Sequence, residues 1–600
     1  MSPFTLETLD FVHLERILEQ SRTVPYRVFT EANLALLRRA PHLEAFRAEL
    51  MTLVLRDDIP TLSYSAWRTY ERTGERTDYD KPYFERRALL AGLALHCVLE
   101  PDDSSALKRL HNLIYAILEE STWANPPHVA QSVFEAGQAF EVIDLFAAET
   151  AHALAETLSL LGERLETALQ NRILLELERR IWNPYARLER PVWEAKRNNW
   201  SAVCSSCLGM VALLTLRDPK RIIGVIARVL ETLKIFFSGY SQSGATPEGI
   251  AYWRYGFGYF VYFAQMLREY SDGQIDLLLS KKAQRIALFP VALSLGEDRF
   301  VNFSDAPEYC PLEAGLLSHL KHRLGVQTPM FSRVASIHRD HCYRFAHLTR
   351  NLFWTDPECF QTTTPSGLFV FPELAWLTHR AHGFVFAIKG GHNDEPHNQN
   401  DLGQFILHAH GDTLLCDLGR GQYTKEYFSE ARYTLLHTSS RGHNVPVLNG
   451  YTQAAGADFF GELLHYALQN NVLKLLLDLS NAYPDPALLH YTRAARWYAS
   501  EQRAQLELTD TLQFSRPSNS IESAFISLFE PVLEQHSIVW RGQKAQLTLH
   551  YPEGWQVQLE CIDSKAHLGE TLKVYRSTCK IACGQYISAT FHLTLELLEP

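Results

Sequence analysis

Apolar residues recur at helical spacing through the first half of the chain and at strand spacing through the second. From residue 5 to about residue 322 the i, i+3, i+4, i+7 spacing of amphipathic helices dominates. It is clearest at 84–99, 106–118, 134–158, 202–214, 222–237 and 250–267. The connections carry Pro, Gly, Asn and Asp, as in Asn125-Pro126-Pro127 and Asn183-Pro184, residues that punctuate helices. Roughly ten or more helices in antiparallel pairs, with no strand-like run between them and no strict repeat, predict a helical toroid or bundle. After about residue 332 the period changes. Short apolar or alternating runs lie at 384–388, 404–408, 413–416, 472–477, 505–508, 524–528, 545–550, 555–559 and 586–597, with turn residues between them. Many closely spaced strands predict a large antiparallel β-sandwich. The expectation is a two-domain α and β chain: helical over 1–335 and β-sandwich over 336–600.

Length supports two domains, since 600 residues exceed what one hydrophobic core fills. With 46% hydrophobic and 21% charged residues the composition is that of a soluble globular protein. A net charge of −11 and the lack of a basic block argue against a nucleic-acid partner. No stretch approaches the ~20 continuous apolar residues of a membrane span. The opening MSPFTLETLDFVHLERILEQ is acidic and amphipathic rather than a basic segment followed by an apolar run, so a cytoplasmic protein is expected. Of ten cysteines, Cys204 and Cys207 form the one CxxC pair; small buried helix residues are the plain reading, with free thiols throughout. Oligomeric state leaves no mark on the sequence, and a homodimer is the base-rate expectation.

The densest chemistry lies at 391–401, where eleven residues hold two His, three acids, three Asn and one Gln. Asp417 and His443-Asn444 follow after further apolar runs. Gly- and Asn-rich loops between strands bend sharply and leave polar heads free, although simple Asx turns would have the same composition. Three helical-half segments also depart from plain amphipathic patterning. Asn198-Asn199-Trp200 precedes an apolar run, and one Asn serves as an N-cap, which leaves an amide and a ring for other work. Glu248-Gly249-Ile250-Ala251-Tyr252-Trp253-Arg254-Tyr255 crowds polar-tipped rings into a helix start, where an aromatic core face is the plainer reading. Trp123-Ala124-Asn125-Pro126-Pro127-His128 is a loop with a ring and an imidazole, and residues 64–87 are dense in Arg and Tyr. Either segment suits a cleft for an acidic sugar, or a solvated face with ion pairs.

The run GGHNDEPHNQNDLGQFILHAHGDTLLCDLGRGQYTKEYFSEARYTLLHTSSRGHNVPVLNG resembles the C-terminal signature of the heparinase II/III-like polysaccharide lyases. The resemblance extends to 64–87, 123–128, 198–200 and 248–255. It implies an (α/α) toroid followed by an antiparallel β-sandwich, and β-elimination on a glycan containing uronic acid. It also implies roles: Asn199 faces the substrate carboxylate, Tyr252 is the catalytic tyrosine with Tyr255 as the alternative, and His397 is the catalytic histidine. Trp200, Glu248, Trp123, His128, Arg432 and Asn398 then become substrate-binding candidates. A structural zinc is implied at positions matching Gln399, Asp417 and His443. Gln399 stands where relatives carry His, a poor exchange for zinc, so a weakened or absent site with Gln399 hydrogen-bonding instead is the preferred expectation. Two other readings stay open. One is a glycoside hydrolase using carboxylates such as Glu248, Glu120 or Asp394; the other is a binding relative that has lost catalysis.

Overall fold

The computed structural model describes residues 3–20, 31–187, 190–567 and 569–598. The N-terminal half is a helical toroid. At its centre, helix Asn199–Thr215 packs against Leu145–Leu161, Pro219–Ser238 and Gly258–Tyr270. Its sequence, NWSAVCSSCLGMVALLT, is apolar or small all round, as a helix with neighbours on every side requires. Cys204 and Cys207 are buried within it as free thiols.

Two predicted helices are interrupted. Over 134–158 the chain forms a short helix Gln131–Glu135, a 3₁₀ turn Ala139–Glu141 and then Leu145–Leu161. Gly137 takes a left-handed conformation (φ 71°), and the Asp144 side chain caps a new start by accepting from the Ala147 N–H. Over 250–267 the helix contains a wide π-type turn, Trp253–Phe257, a feature that redirects side chains. The helical half also holds a small hairpin, Ser294–Gly296 with Arg299–Phe300, which helical periodicity did not predict. The helices run on to Phe345–Trp354, and the first large-sheet strand is Gly367–Phe371.

The second half is an antiparallel sandwich. A nine-stranded sheet, which includes the long strands Leu488–Ala499, Arg503–Phe514 and Tyr586–Leu597, shares one core with a four-stranded and a five-stranded sheet. The five-stranded sheet joins the halves. On strand Phe384–Lys389, Phe384, Phe386 and Ile388 enter the sandwich core, while Val385 and Ala387 enter the helical core. Side chains alternate faces along a strand. A strand covered on both faces therefore reads as the unbroken apolar run FVFAI.

Close helix crossing is tested at Gly315, in helix Ala314–Leu324. A Cβ there would lie well inside contact distance of the Arg350 carbonyl in helix Phe345–Trp354. Alanine gains about 1 kcal/mol of helix propensity over glycine, but overpacking against backbone costs about 1–3 kcal/mol. Gly315→Ala should therefore lower the thermal transition temperature. An unchanged or raised transition would refute the close crossing.

Candidate active site

Five segments converge where the halves meet: 198–200, 246–255 and 301–306 from the helical half, and 389–401 and 417–432 from the sheet half. Asn198 caps its helix by accepting from the Trp200 N–H. The neighbouring Asn199 amide is thus free, and its Nδ2 donates to Glu248 Oε1 at 2.8 Å while its backbone N–H donates to Oε2 at 3.1 Å. Glu248 is buried. Burial pushes its carboxyl up, against the opposing pull of His397 and Asn199.

His397 sits in the left-handed region (φ 61°), a strained conformation for a non-glycine residue and one concentrated at functional sites. Its ring stacks on Tyr252 with centroids 4.1 Å apart. Its Nδ1 lies 3.0 Å from Asp305 Oδ2, and its Nε2 lies 3.7 Å from Glu248 Oε1. The Tyr252 hydroxyl lies 2.9 Å from that of Tyr423, which in turn donates to Asp305 at 3.5 Å. Burial first, and then the negative charge of Asp305, push the Tyr252 hydroxyl well above its ordinary value, so it remains a proton donor.

Asp305 is the hub. Fully buried, it accepts hydrogen bonds from Tyr427 (2.6 Å), Arg432 (2.9 and 3.0 Å) and Gln399 (3.2 Å) in addition to His397. Burial alone would raise its carboxyl. The His397 hydrogen bond and charge, followed by Arg432 and Tyr427, win and hold it at about 2. Sequence reasoning missed Asp305, Tyr423 and Tyr427. The one local signal at Asp305 was a polar Ser304-Asp305 step between apolar residues.

The other candidates separate. Arg432 and Asn398 support the site from behind: Arg432 donates to the Asn398 carbonyl as well as to Asp305, and Asn398 is buried. Trp200 and His128 meet edge to face at 4.7 Å, with His128 Nδ1 2.6 Å from Asp144 and Lys196 over the Trp200 ring. Trp123 is brought elsewhere; its ring is in the helical core and its indole N–H donates to the Ile117 carbonyl. Tyr255 is buried beneath Arg344, on a different turn position from the ring that stacks on His397. Arg87 of the 64–87 stretch pairs bidentately with Glu120 at 2.8 Å, which ties Glu120 into a buried ion pair. Asp394 is exposed.

The loop behind His397 offers a cation site. Asp401 Oδ2, Asp417 Oδ2 and His443 Nδ1 are buried and lie within 4.8 Å of one another; His443 Nδ1 faces Asp417 Oδ2 at 3.3 Å, and Lys389 donates to the other Asp401 oxygen at 2.6 Å. His443 Nε2 faces the His437 carbonyl at 3.2 Å, which leaves Nδ1 as the ligating nitrogen, a common arrangement in metal sites. Two carboxylates and one imidazole fit a zinc-type dication. Gln399 directs its amide nitrogen to Ser304 O, Asp305 and Gly419 O, so Asp401 is the third candidate donor in its place.

Residues 363–585 match the family described as Heparinase II/III-like, C-terminal. No curated protein matches the chain in sequence. Among solved structures it is similar to Heparinase III at 12% identity and TM-score 0.63, covering 98% of this chain and 89% of that one. It is also similar to heparan sulfate lyase HepC from Pedobacter heparinus (13%, TM-score 0.59, 99% and 88%). A third is the Streptomyces coelicolor A3 chondroitin AC lyase in complex with chondroitin sulphate (10%, TM-score 0.52, 98% and 83%). At these identities the likeness is one of fold, and it spans both halves. Among the described residues no helix is long and apolar enough to cross a membrane.

The Asp305 hub has a measurable signature. Its carboxyl is held at about 2 against about 3.9 in an unfolded chain. The stability it contributes, roughly 2 kcal/mol, is present above about pH 4 and is lost as pH falls toward 2. Asp305→Asn should remove that acid-dependent part and cost about 3 kcal/mol at neutral pH by leaving Arg432 uncompensated. Denaturation curves across that pH range check it; identical acid slopes in variant and wild type would contradict the hub.

Proposed function

We propose that this chain, a member of the heparinase II/III-like family, is a lyase that cleaves acidic oligosaccharides by β-elimination at a uronic acid. The observation that carries the reading is the stacked Tyr252–His397 pair with Asp305 behind it and Asn199–Glu248 beside it. Elimination needs three things: a neutralised substrate carboxylate, a base for the C5 proton and an acid for the oxygen leaving C4. Asn199 and the protonated form of Glu248 are donors suited to the carboxylate. His397, its Nδ1 held by Asp305, has Nε2 free to take the C5 proton. As the C5–H bond breaks and the C4–C5 double bond forms, the C4–O bond breaks, and Tyr252 gives its proton to the leaving oxygen. Tyr423 returns a proton from solvent.

Two features support an acidic substrate. Arg420 stands close enough to Tyr252 to pull its hydroxyl down, and its Nε is buried without a partner among the described residues. Lys196 lies over Trp200, next to Asn199. Asp401, Asp417 and His443 would hold a zinc-type cation, which would neutralise the two carboxylates and brace the loop that presents His397. The bond-breaking steps fall to the residues above.

Ultraviolet absorbance of the unsaturated uronate should rise with one member of a panel of heparan, hyaluronan, alginate and pectic oligosaccharides. New reducing ends without that absorbance would mean hydrolysis and overturn the proposal. Tyr252→Phe should lower the rate by about 10²–10⁴-fold with unchanged folding. Because only protonated Glu248 donates to the substrate carboxylate, activity should fall as pH rises through its elevated pKa. Glu248→Gln should flatten that alkaline limb, and a limb that persists unchanged in the variant would exclude Glu248 from this role.

A further inference from the structure

A second group of metal-binding side chains lies where the helical half hands over to the sheets, sharing no hydrogen bond with Tyr252, His397 or Asp305. His322 is in the last turn of helix Ala314–Leu324. Asp356 begins the 3₁₀ turn Pro357–Cys359, and Cys359 ends it. Asp356 is oriented by its surroundings: its N–H donates to Ser318 Oγ, and its Oδ1 accepts from the Glu358 N–H at 2.9 Å. That leaves Oδ2, which lies 2.7 Å from His322 Nε2. The Cys359 sulfur is 3.3 Å from the same nitrogen. One ring nitrogen thus faces a carboxylate oxygen and a sulfur together, while the thiol itself donates weakly to the Ser318 carbonyl at 3.9 Å. All three ligand atoms lie within 4.8 Å of one another.

Spacing and access both suit a cation. Donor atoms around a tetrahedral zinc stand about 3.3–3.6 Å apart, given metal–ligand distances of about 2.0–2.3 Å. The sulfur–nitrogen distance already meets this, and the nitrogen–oxygen distance has only to open by roughly half an ångström. Cys359 is buried while the His322 side chain is 56% exposed, so an ion has a route in. The nearby Lys321 ammonium is engaged by the Cys359 carbonyl. Independently, His42 comes from the turn Pro41–Leu43 and stands edge-on to Phe360, within reach of the Asp356 charge. The His42 ring also interacts with the Thr355 backbone and the Arg47 charge, so it packs beside the group rather than within it.

We propose that His322, Asp356 and Cys359 bind a zinc-type divalent cation, with solvent completing its coordination. The ion would tie helix Ala314–Leu324 to the segment that leads into strand Gly367–Phe371. A Cys/His/Asp set of mixed soft and hard donors selects zinc over magnesium or calcium. On ligation the thiol proton passes to solvent and the sulfur lone pair goes to the metal, with no change of oxidation state.

Cobalt(II) reports the site and separates it from Asp401/Asp417/His443, which contains no sulfur. Titrated into the reduced full-length protein, cobalt should give a thiolate-to-metal charge-transfer band in the near ultraviolet, and zinc should displace it. Cys359→Ser should abolish the band, and His322→Gln or Asp356→Asn should weaken cobalt binding at least about tenfold. Cys359→His, which keeps a ligand, should retain zinc binding and lose only the sulfur band, so a folding defect is distinguishable from a lost ligand. Cys342→Ser, in the Asp340–His341–Cys342 group, should leave the band intact. No sulfur band, or a band that survives Cys359→Ser, would overturn the assignment.

Discussion

A carboxylate sealed from water must be matched by donors, because an unpaired buried charge costs several kcal/mol. Asp305 imposes that constraint on the molecule. Apolar burial on the two-faced strand Phe384–Lys389 supplies much of the attraction between the halves, at about 1.5–3 kcal/mol for each large side chain, but burial is non-directional. Asp305 supplies the direction. Its partners His397, Gln399, Tyr427 and Arg432 satisfy it in one seating of the sheet region on the toroid, and that seating stacks His397 on Tyr252.

The two acids beside His397 have opposite environments. Asp305 is surrounded by cationic and hydroxyl donors and stays ionised. Glu248 has a single amide side chain and a backbone N–H, and burial drives it toward its neutral form. Separated carboxyl pKa values of this kind suit different tasks: Asp305 stands as a fixed anion against His397 Nδ1, and Glu248 as a carboxyl driven toward its proton-bearing form.

The architecture was legible in the sequence because burial leaves periodic traces: helical spacing over the first half, and alternation or continuous apolar runs over the second. The 391–401 loop stood out because so many polar heads in one place serve no core. Asn199 was separable from its neighbour by capping logic, and Tyr252 by its motif. Asp305 left no such trace. It lies in an irregular loop, and its partners come 92 to 127 residues later, a pairing that no local window contains. Trp123 misled for the opposite reason: loop position suggests exposure, but its ring turns inward to the Ile117 carbonyl. Gln399 was anticipated as a hydrogen-bonding residue, while the compensating convergence of Asp401 on Asp417 and His443 needed the folded loop.

The order of the hub along the chain also shapes how the protein is made. Asp305 leaves the ribosome before every one of its charged and hydroxyl partners, the last of them 127 residues behind. At about 5–20 residues per second the helical half exists on the order of 5–25 s with this acid still hydrated. The surface that Val385, Ala387 and Ile406 later cover is exposed over the same interval. The nascent toroid therefore carries both an uncovered apolar face and an unmatched acid, and one docking event ends both conditions.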